Sequence, residues 1–406
     1  MHIAAATLYD FVQCPTRVAL DAFEDPDKRD PINPFLRLLW ERGALFEEEV
    51  VAEVEQTFTD LSHAKGEEKE RLTREAMQRG DALIYSGRIV ADDLLGIPDL
   101  LRREGLGYVP GDIKSGAGEE ASDDNGDGKP KLTYAVQLSL YVDVLERLDL
   151  SAGRRGFIWD VHGEEVVYDL EAPRGPRTPQ TLWDKYQETL AECRAILAKH
   201  GKPLAAYSSK CKLCHWYSFC GEQLAATNDL TLIPFLGRNI RDAMIDDVPS
   251  IAALADCNPD AFITKKNKTI FPGLGADRLR LFHERAVMLT QPNAKPYLRA
   301  PVTLRVAPVE LFFDIEVDPF RDLCYLHGIV ERHDRRNETE KFVYFFAEED
   351  NEEAEREMFA AAYSYLAAKT DAAIYYYSKY ERTAYRGLQA KYPDVCDAED
   401  IEQLFD

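Results

Sequence analysis

Positive charge is what this chain has least of. Its 406 residues carry 49 Lys and Arg against 72 Asp and Glu, a formal net charge of −23 at pH 7. A surface that coats nucleic acid broadly needs the opposite balance, so that class of protein is excluded. A local cleft in which metal ions supply the positive potential is not excluded. The chain also lacks any run of eighteen apolar residues, so no membrane-spanning helix and no membrane partner are expected. Its first residues, Met1-His2-Ile3-Ala4-Ala5-Ala6, have no basic stretch and no long apolar core, so a cytoplasmic location is expected rather than secretion. What is present is ordinary for a globular protein. Hydrophobic residues make up 45% and charged residues 30%, in a length that suits two or three domains. Eight cysteines in a cytosolic chain point to thiols or metal ligands and away from disulfides.

The patterning predicts an α/β chain in three blocks, residues 1–225, 226–300 and 301–406. In the first, residues 36–58 read as a helix, with Leu39, Gly43, Phe46, Val50 and Val54 on one apolar face and Glu47 on the same face. A carboxylate on such a stripe is costly unless paired or bound to metal, or else it sits at a partly exposed edge. Residues 60–75 read as a surface helix or loop, 81–113 as several strands, and 131–149 and 179–200 as helices. Gly156–Val161 and Glu165–Leu170 read as two more strands, and Ser115–Pro130, rich in Gly, Asp and Glu, as a solvated loop. The second block carries Leu232-Ile233-Pro234-Phe235-Leu236-Gly237 and Ile270-Phe271-Pro272-Gly273-Leu274-Gly275, each followed by a basic, helix-like stretch. These resemble helix-hairpin-helix elements, whose glycine turn offers backbone N–H groups to phosphate; the alternative is a plain helical linker. The third block reads as three successive strands (309–317, 324–331, 341–346), a helix at 352–368, a strand at 372–377 and a helix at 381–391. That order suits an RNase H-like fold.

The chemistry-bearing residues of the first block are Asp99, Asp112, Lys114, Gln137 and Tyr141, with Glu47 upstream. Asp112 and Lys114 are two apart on a strand, so they point to one face. Asp99 falls on the neighbouring strand or the turn before it. Two carboxylates hold Mg²⁺ or Mn²⁺, which polarises a phosphodiester and acidifies an attacking water. The lysine positions that water or neutralises the transition state. Gln137 and Tyr141, four apart, share a helix face and reach the DNA backbone or the lysine. Taken alone, Asp112 and Lys114 also read as a surface ion pair.

Cys211, Cys214 and Cys220 lie within ten residues, and Cys14 stands far upstream. Three clustered thiolates and a distant fourth fit a 4Fe–4S cluster, with a Cys₄ zinc site as the competitor. Either would staple the N-terminal segment to the end of the block. Cys193, Cys257, Cys324 and Cys396 read as core thiols.

Together, Cys14, Glu47, Asp99, Asp112, Lys114, Gln137, Tyr141, Cys211, Cys214 and Cys220 resemble the pattern of the RecB-like PD-(D/E)xK nucleases, in the iron–sulfur subgroup of AddB-type and CRISPR-adaptation nucleases. Many members have histidine where this chain has Glu47. The third block resembles the YprB-like, DnaQ-related exonuclease domains. Phe313-Asp314-Ile315-Glu316 matches their first motif, and Glu381 stands near the aspartate of the second. The later acids of that family have no counterpart before Asp406, so this block is expected to be incomplete. The resemblance implies a restriction-endonuclease-like core with iron–sulfur-capped helices, a small helical linker and an RNase H-like domain. It implies metal ligation by Glu47, Asp99 and Asp112, and a second site at Asp314, Glu316 and Glu381. The function it implies is a Mg²⁺- or Mn²⁺-dependent DNA exonuclease on single strands or ends, in repair, recombination or defence, with a helicase as a candidate partner. The alternatives are a nucleic-acid-binding adaptor with a vestigial nuclease core, and a protein whose main chemistry lies in the RNase H-like block.

Overall fold

The computed structural model describes residues 2–120, 128–175, 178–201, 203–264, 266–318 and 323–405. The chain divides into two compact units, Met1–Lys295 and Pro296–Asp406. No described helix is long and apolar enough to cross a membrane.

The first unit is organised by a six-stranded mixed sheet. Its strands are β1 (Thr59–Asp60), β2 (Leu83–Tyr85), β3 (Leu100–Glu104), β4 (Gly107–Ile113), β5 (Arg155–Trp159) and β6 (Glu165–Asp169), and they lie side by side in that order. β3 and β4 form an antiparallel hairpin with Leu100 opposite Gly111. β5 runs parallel to β4, with Ile158 beside Asp112. β4 therefore lies inside the sheet, and all seven of its residues are buried.

Helices pack on both faces. α1 (Ala5–Gln13), α2 (Pro15–Phe23), α5 (Leu132–Arg147) and α6 (Leu182–Leu197) build the larger core with Tyr108 and Ile158 from the sheet. Residues 135–145 of α5 are buried without interruption, because this helix is enclosed by the sheet on one side and by α1 and α6 on the others. α6 opens on a capping box, in which the Thr181 hydroxyl accepts from the Asp184 N–H and the Asp184 carboxylate accepts from the Thr181 N–H. The opposite face buries Leu83, Leu100, Val109, Ile113 and Phe157 against Phe46, Val50, Val51 and Val54.

Helix α3 (Pro34–Ala52) starts at an Asn33 cap with Pro34 in the first turn. The expected apolar stripe is only half-covered, since no residue of α3 is buried. The helix also ends at Ala52, so Val54 packs from beyond it. After α4 (Gly66–Arg79), the segment Glu119–Glu120 pairs with Lys129–Pro130, a short ladder inside the stretch expected to be loop. The rest of that expected loop, residues 121–127, lies outside the described residues.

Beyond α7 (Tyr217–Thr227), helices α8 (Arg238–Met244), α9 (Ile251–Asp256) and α10 (Ala276–Thr290) gather around Leu230, Ile233, Leu254, Phe271 and Phe282. Gly237 and Gly275 stand at the N-caps of α8 and α10.

The second unit is a four-stranded sheet of β7 (Val309–Asp318), β8 (Leu323–His333), β9 (Lys341–Phe346) and β10 (Ala372–Tyr375), in the order β9–β8–β7–β10. β10 is parallel to β7, and the other pairs are antiparallel. α11 (Glu352–Ala367), α12 (Tyr380–Lys391) and α13 (Ala398–Phe405) cover one face. α13 was not foreseen, because only Ile401 and Phe405 are buried along it, and two apolar residues four apart are a faint signal.

Candidate active site

Asp99 immediately precedes β3, Asp112 is the penultimate residue of the buried β4, and Lys114 follows that strand. Backbone bonds fix these positions. Ser86 N–H donates to the Asp99 carbonyl at 2.7 Å, and Lys114 N–H donates to the Trp159 carbonyl at 2.9 Å. The two carboxylates are cross-stitched. Ile113 N–H donates to Asp99 Oδ2 at 2.8 Å, and Asp99 N–H donates to Asp112 Oδ1 at 3.4 Å. Lys114 Nζ lies 3.0 Å from Asp112 Oδ2 and 4.0 Å from Asp99 Oδ2.

The Asp112 side chain is 2% exposed, and its Oδ2 has no hydrogen-bond partner despite the nearby ammonium, whose approach is poorly aligned for a bond. Buried polar atoms are nearly always satisfied, so a carboxylate oxygen without a hydrogen-bond donor on a central strand suits a cation. Gln137 Oε1 is buried and unpartnered in the same way.

The electrostatics follow from crowding acids in a protein-walled cleft. Asp99 keeps 23% of its side-chain surface, yet burial and then the Asp112 charge push its carboxyl up to about 8, against the pull of Lys114. For Lys114, burial disfavours the charge, but Asp112 and Asp99 outweigh it and hold the ammonium above its ordinary value. Because the folded Asp99 binds a proton that the unfolded chain has already lost, this group costs stability as pH rises from about 4 to about 8 and adds no further slope above that. In EDTA, the melting temperature of Asp99→Asn relative to the natural chain is therefore expected to climb between pH 5 and pH 8 by several degrees, roughly the response to a change of one or two kcal/mol. A pH-independent difference would refute the raised carboxyl.

α5 supplies the wall opposite β4. Tyr134, Gln137 and Tyr141 fall on one helix face. The Tyr134 ring centroid is 5.9 Å from Lys114 Nζ. The Tyr141 hydroxyl donates to the Ile97 carbonyl at 3.4 Å, and burial followed by the Asp112 and Asp99 charges holds its proton on. Its ring fits because residue 96 is glycine, where a Cβ would come within 2.8 Å of Tyr141 Cδ1. Gln137, between Tyr134 and Tyr141 on that face, is only 9% exposed. Both Gln137 and Tyr141 are thus buried walls, and Tyr134 is the α5 ring nearest the lysine. Sequence reasoning passed over Tyr134, although its position three residues before Gln137 was a usable signal.

Glu47 approaches from α3. Gly43 of that helix lies beside Ser115, with 3.7 Å from a built Cβ to Ser115 Oγ. Glu47 is half-buried and accepts a 2.9 Å hydrogen bond from the Tyr85 hydroxyl, and its charge contributes to raising Asp99. Tyr85 was also missed. Among the described residues, no three His, Cys, Asp or Glu side chains converge closely enough to hold a metal ion by themselves.

The four clustered cysteines line one cavity elsewhere in the unit without converging as closely as metal ligands do. Cys14 joins α1 to α2, Cys211 and Cys214 lie in the turn before α7, and Cys220 is on α7. All are half-buried free thiols lining one cavity of about 410 Å³ with Arg17, Trp40 and Trp216. Burial, and then the mutual proximity of the other three, pushes Cys220 up to about 12. N–H donors already face the sulfurs: Ser208 to Cys211 at 3.4 Å, Trp216 to Cys214 at 3.4 Å, and Arg238 Nη2 to Cys14 at 3.7 Å. Cys193, Cys324 and Cys396 are buried, and Cys257 is half-buried.

In the second unit, Asp314 and Glu316 are exposed on one face of β7. Glu381 is buried in the first turn of α12, where it accepts from Ser378 N–H and Oγ, both at 3.3 Å. Those bonds tie Glu381 to the residue just before the Lys379 N-cap of its own helix.

Residues 4–221, more than half of the chain, match the PD-(D/E)XK nuclease superfamily. The chain belongs to that superfamily. Residues 311–399 match the RNase_H superfamily, so this PD-(D/E)XK protein also carries an RNase H-like domain. No curated protein matches it. The two domains suggest a nuclease and hence a nucleic-acid substrate. PD-(D/E)XK nucleases usually use Mg²⁺ or Mn²⁺, and the orphaned Asp112 oxygen beside Asp99 suits such an ion.

Proposed function

We propose that this protein is a Mg²⁺- or Mn²⁺-dependent deoxyribonuclease that hydrolyses phosphodiester bonds from single-stranded DNA or DNA ends. The observation that carries the reading is the buried Asp112 Oδ2, which has the Lys114 ammonium at 3.0 Å but no hydrogen bond, beside Asp99. Asp99 and Asp112 would hold the ion, with Glu47 as a further oxygen donor and waters filling the rest, as small hard cations prefer. The ion supplies polarisation of the phosphate and a more acidic water. Lys114, kept protonated by both carboxylates, donates to the phosphoryl oxygen that gains charge. Tyr134 and Tyr141 close the α5 side against bulk water, and Tyr141 keeps its proton, which it donates to the Ile97 carbonyl.

Glu47 is oriented by Tyr85, so Tyr85→Phe is expected to raise the Mn²⁺ concentration needed for half-maximal cleavage by about tenfold while leaving the rate at saturating Mn²⁺ near normal. An unchanged metal requirement would remove Glu47 from the ion's surroundings.

The four cysteines are proposed to hold a 4Fe–4S cluster that staples the N-terminal helices to the turn before α7, with zinc as the competing occupant. Their fit rests on four thiols at one cavity with N–H groups already turned to sulfur. Asp314 and Glu316 are proposed as part of a second metal site. Glu381 would join them only by giving up its bonds to Ser378.

The deciding experiment incubates anaerobically purified protein with end-labelled linear and circular single strands, with Mg²⁺, Mn²⁺ or EDTA. Cleavage of the linear strand that needs metal supports the reading. Cleavage of circles would change it to an endonuclease. Strand binding without cleavage under any metal would favour an adaptor serving a helicase or repair complex.

A further inference from the structure

The open face of the second unit's sheet carries rings that the proposed reaction does not use. Phe312, Val330 and Phe342 form one row across β7, β8 and β9, Asp314, Gly328 and Tyr344 the next, and Glu316, Leu326 and Phe346 the third. Residues directly opposite one another share a face. The alternate residues of β7, namely Leu311, Phe313 and Ile315, are buried with Phe359 and Tyr385 on the helix side. On the open side the rings are exposed: Phe342 60%, Tyr344 61%, Phe346 46% and Phe312 36%.

These rings are ordered relative to one another. Phe342 and Tyr344 have centroids 5.8 Å apart and planes within 19°. Phe312 stacks on Tyr375 at 5.2 Å and 28°, and the Arg332 guanidinium carbon lies 4.8 Å from the Phe312 centroid. Gly328 leaves room between them, with the Phe342 ring 3.5 Å from where its Cβ would be. The result is a discontinuous aromatic floor beside Asp314 and Glu316.

We propose that this face binds single-stranded nucleic acid by stacking unpaired bases on Phe342 and Tyr344, and leads the strand to Asp314 and Glu316. Three observations favour this occupant over a protein partner. Every base has a π-face, and aromatic side chains on a four-stranded sheet are a general means of holding splayed bases. Asp314 is in the same row as Tyr344 and two strand spacings away, on the order of 10 Å, so a strand on the rings passes the carboxylates. Arg332, Arg335 and Arg336 stand at the end of the sheet that bears Phe342, where phosphates would follow, although Arg332 and Arg335 already pair with Glu310 at 2.8 and 3.9 Å and Arg336 with Glu338 at 3.9 Å. Asp334, Glu338 and Glu340 share that hairpin, so it is not a net cationic patch. Stacking rather than charge is therefore the main contribution, and salt should weaken binding only slightly.

This deepens the nuclease reading and relies on it only for the class of polymer. The test uses the full chain carrying Asp112→Asn, in EDTA, so binding is read apart from cleavage. Anisotropy is measured with a labelled oligothymidylate and with an abasic strand of equal length. The expected result is tighter binding of the base-bearing strand. Phe342→Leu/Tyr344→Leu should lose about tenfold or more of that affinity with the abasic strand unaffected, as removal of aromatic stacking predicts. Phe342→Tyr/Tyr344→Phe should keep it. Both positions are well exposed, so the leucine pair leaves the core intact. Equal affinity for the two strands, or for the leucine pair and its parent, overturns the proposal. So does a dimer, seen by light scattering, that the leucine pair dissociates, because the face would then belong to a second copy.

Discussion

Asp112→Asn is expected to lower metal-dependent cleavage by on the order of 10³ or more, because it removes one charge from the pair of acids that the fold cross-stitches beside the lysine. The same change should make the metal-free protein more stable. Asp112 is the largest charge acting on Asp99 after burial itself, and the two carboxylates compete for one ammonium. Neutralising one of them relieves repulsion in a poorly solvated place. Lost activity with an unchanged or raised melting temperature separates chemistry from misfolding. Lys114→Ala should lose activity comparably but lower the melting temperature, since it leaves two buried acids without their counter-charge. Mn²⁺-dependent cleavage that survives either variant would sink the assignment of this site.

The second large effect is expected at the cysteines. Protein purified without oxygen should be brown, with a broad absorption near ~400 nm and about four irons per chain, as thiolate-ligated iron–sulfur clusters are. Cys220→Ser should abolish the colour and lower the melting temperature by about 10 °C, in line with losing a bound group that exists only in the folded state. Complete unfolding is not expected. Asp21 of α2 accepts from Trp216 Nε1 at 3.0 Å and lies 2.6 Å from His215 Nε2, so the N-terminal helices stay tied to the turn before α7 without the cluster. A colourless natural protein with one zinc would keep the staple and change its occupant. A colourless protein with neither metal, as stable as Cys220→Ser, would end the proposal.

Much of this protein is legible along the chain because local physics has short periods. Alternation and helical spacing give the strands and helices of the second unit up to α12 nearly to the residue, missing α13, and they place Asp112 and Lys114 on one face because strand side chains repeat every two residues. The same arithmetic puts Gln137 and Tyr141 on one helix face. The stripe on α3 shows the limit. Its spacing is helical, yet no residue of it is buried, because burial depends on what arrives from elsewhere.

The sequence by itself determined the elements, the local pairings of acid and lysine, and the cysteine spacing within residues 211–220. Only the tertiary structure decided that Cys14 reaches the cavity of those cysteines, that Tyr85 orients Glu47, that Tyr134 faces Lys114, and that an Asp112 oxygen is left unsatisfied. It also set Phe342 and Tyr344 beside Asp314 across three strands. The reason is that these relations join residues far apart in the chain through strand order and register. Side-chain periodicity says which face a residue takes but not which neighbour it meets there.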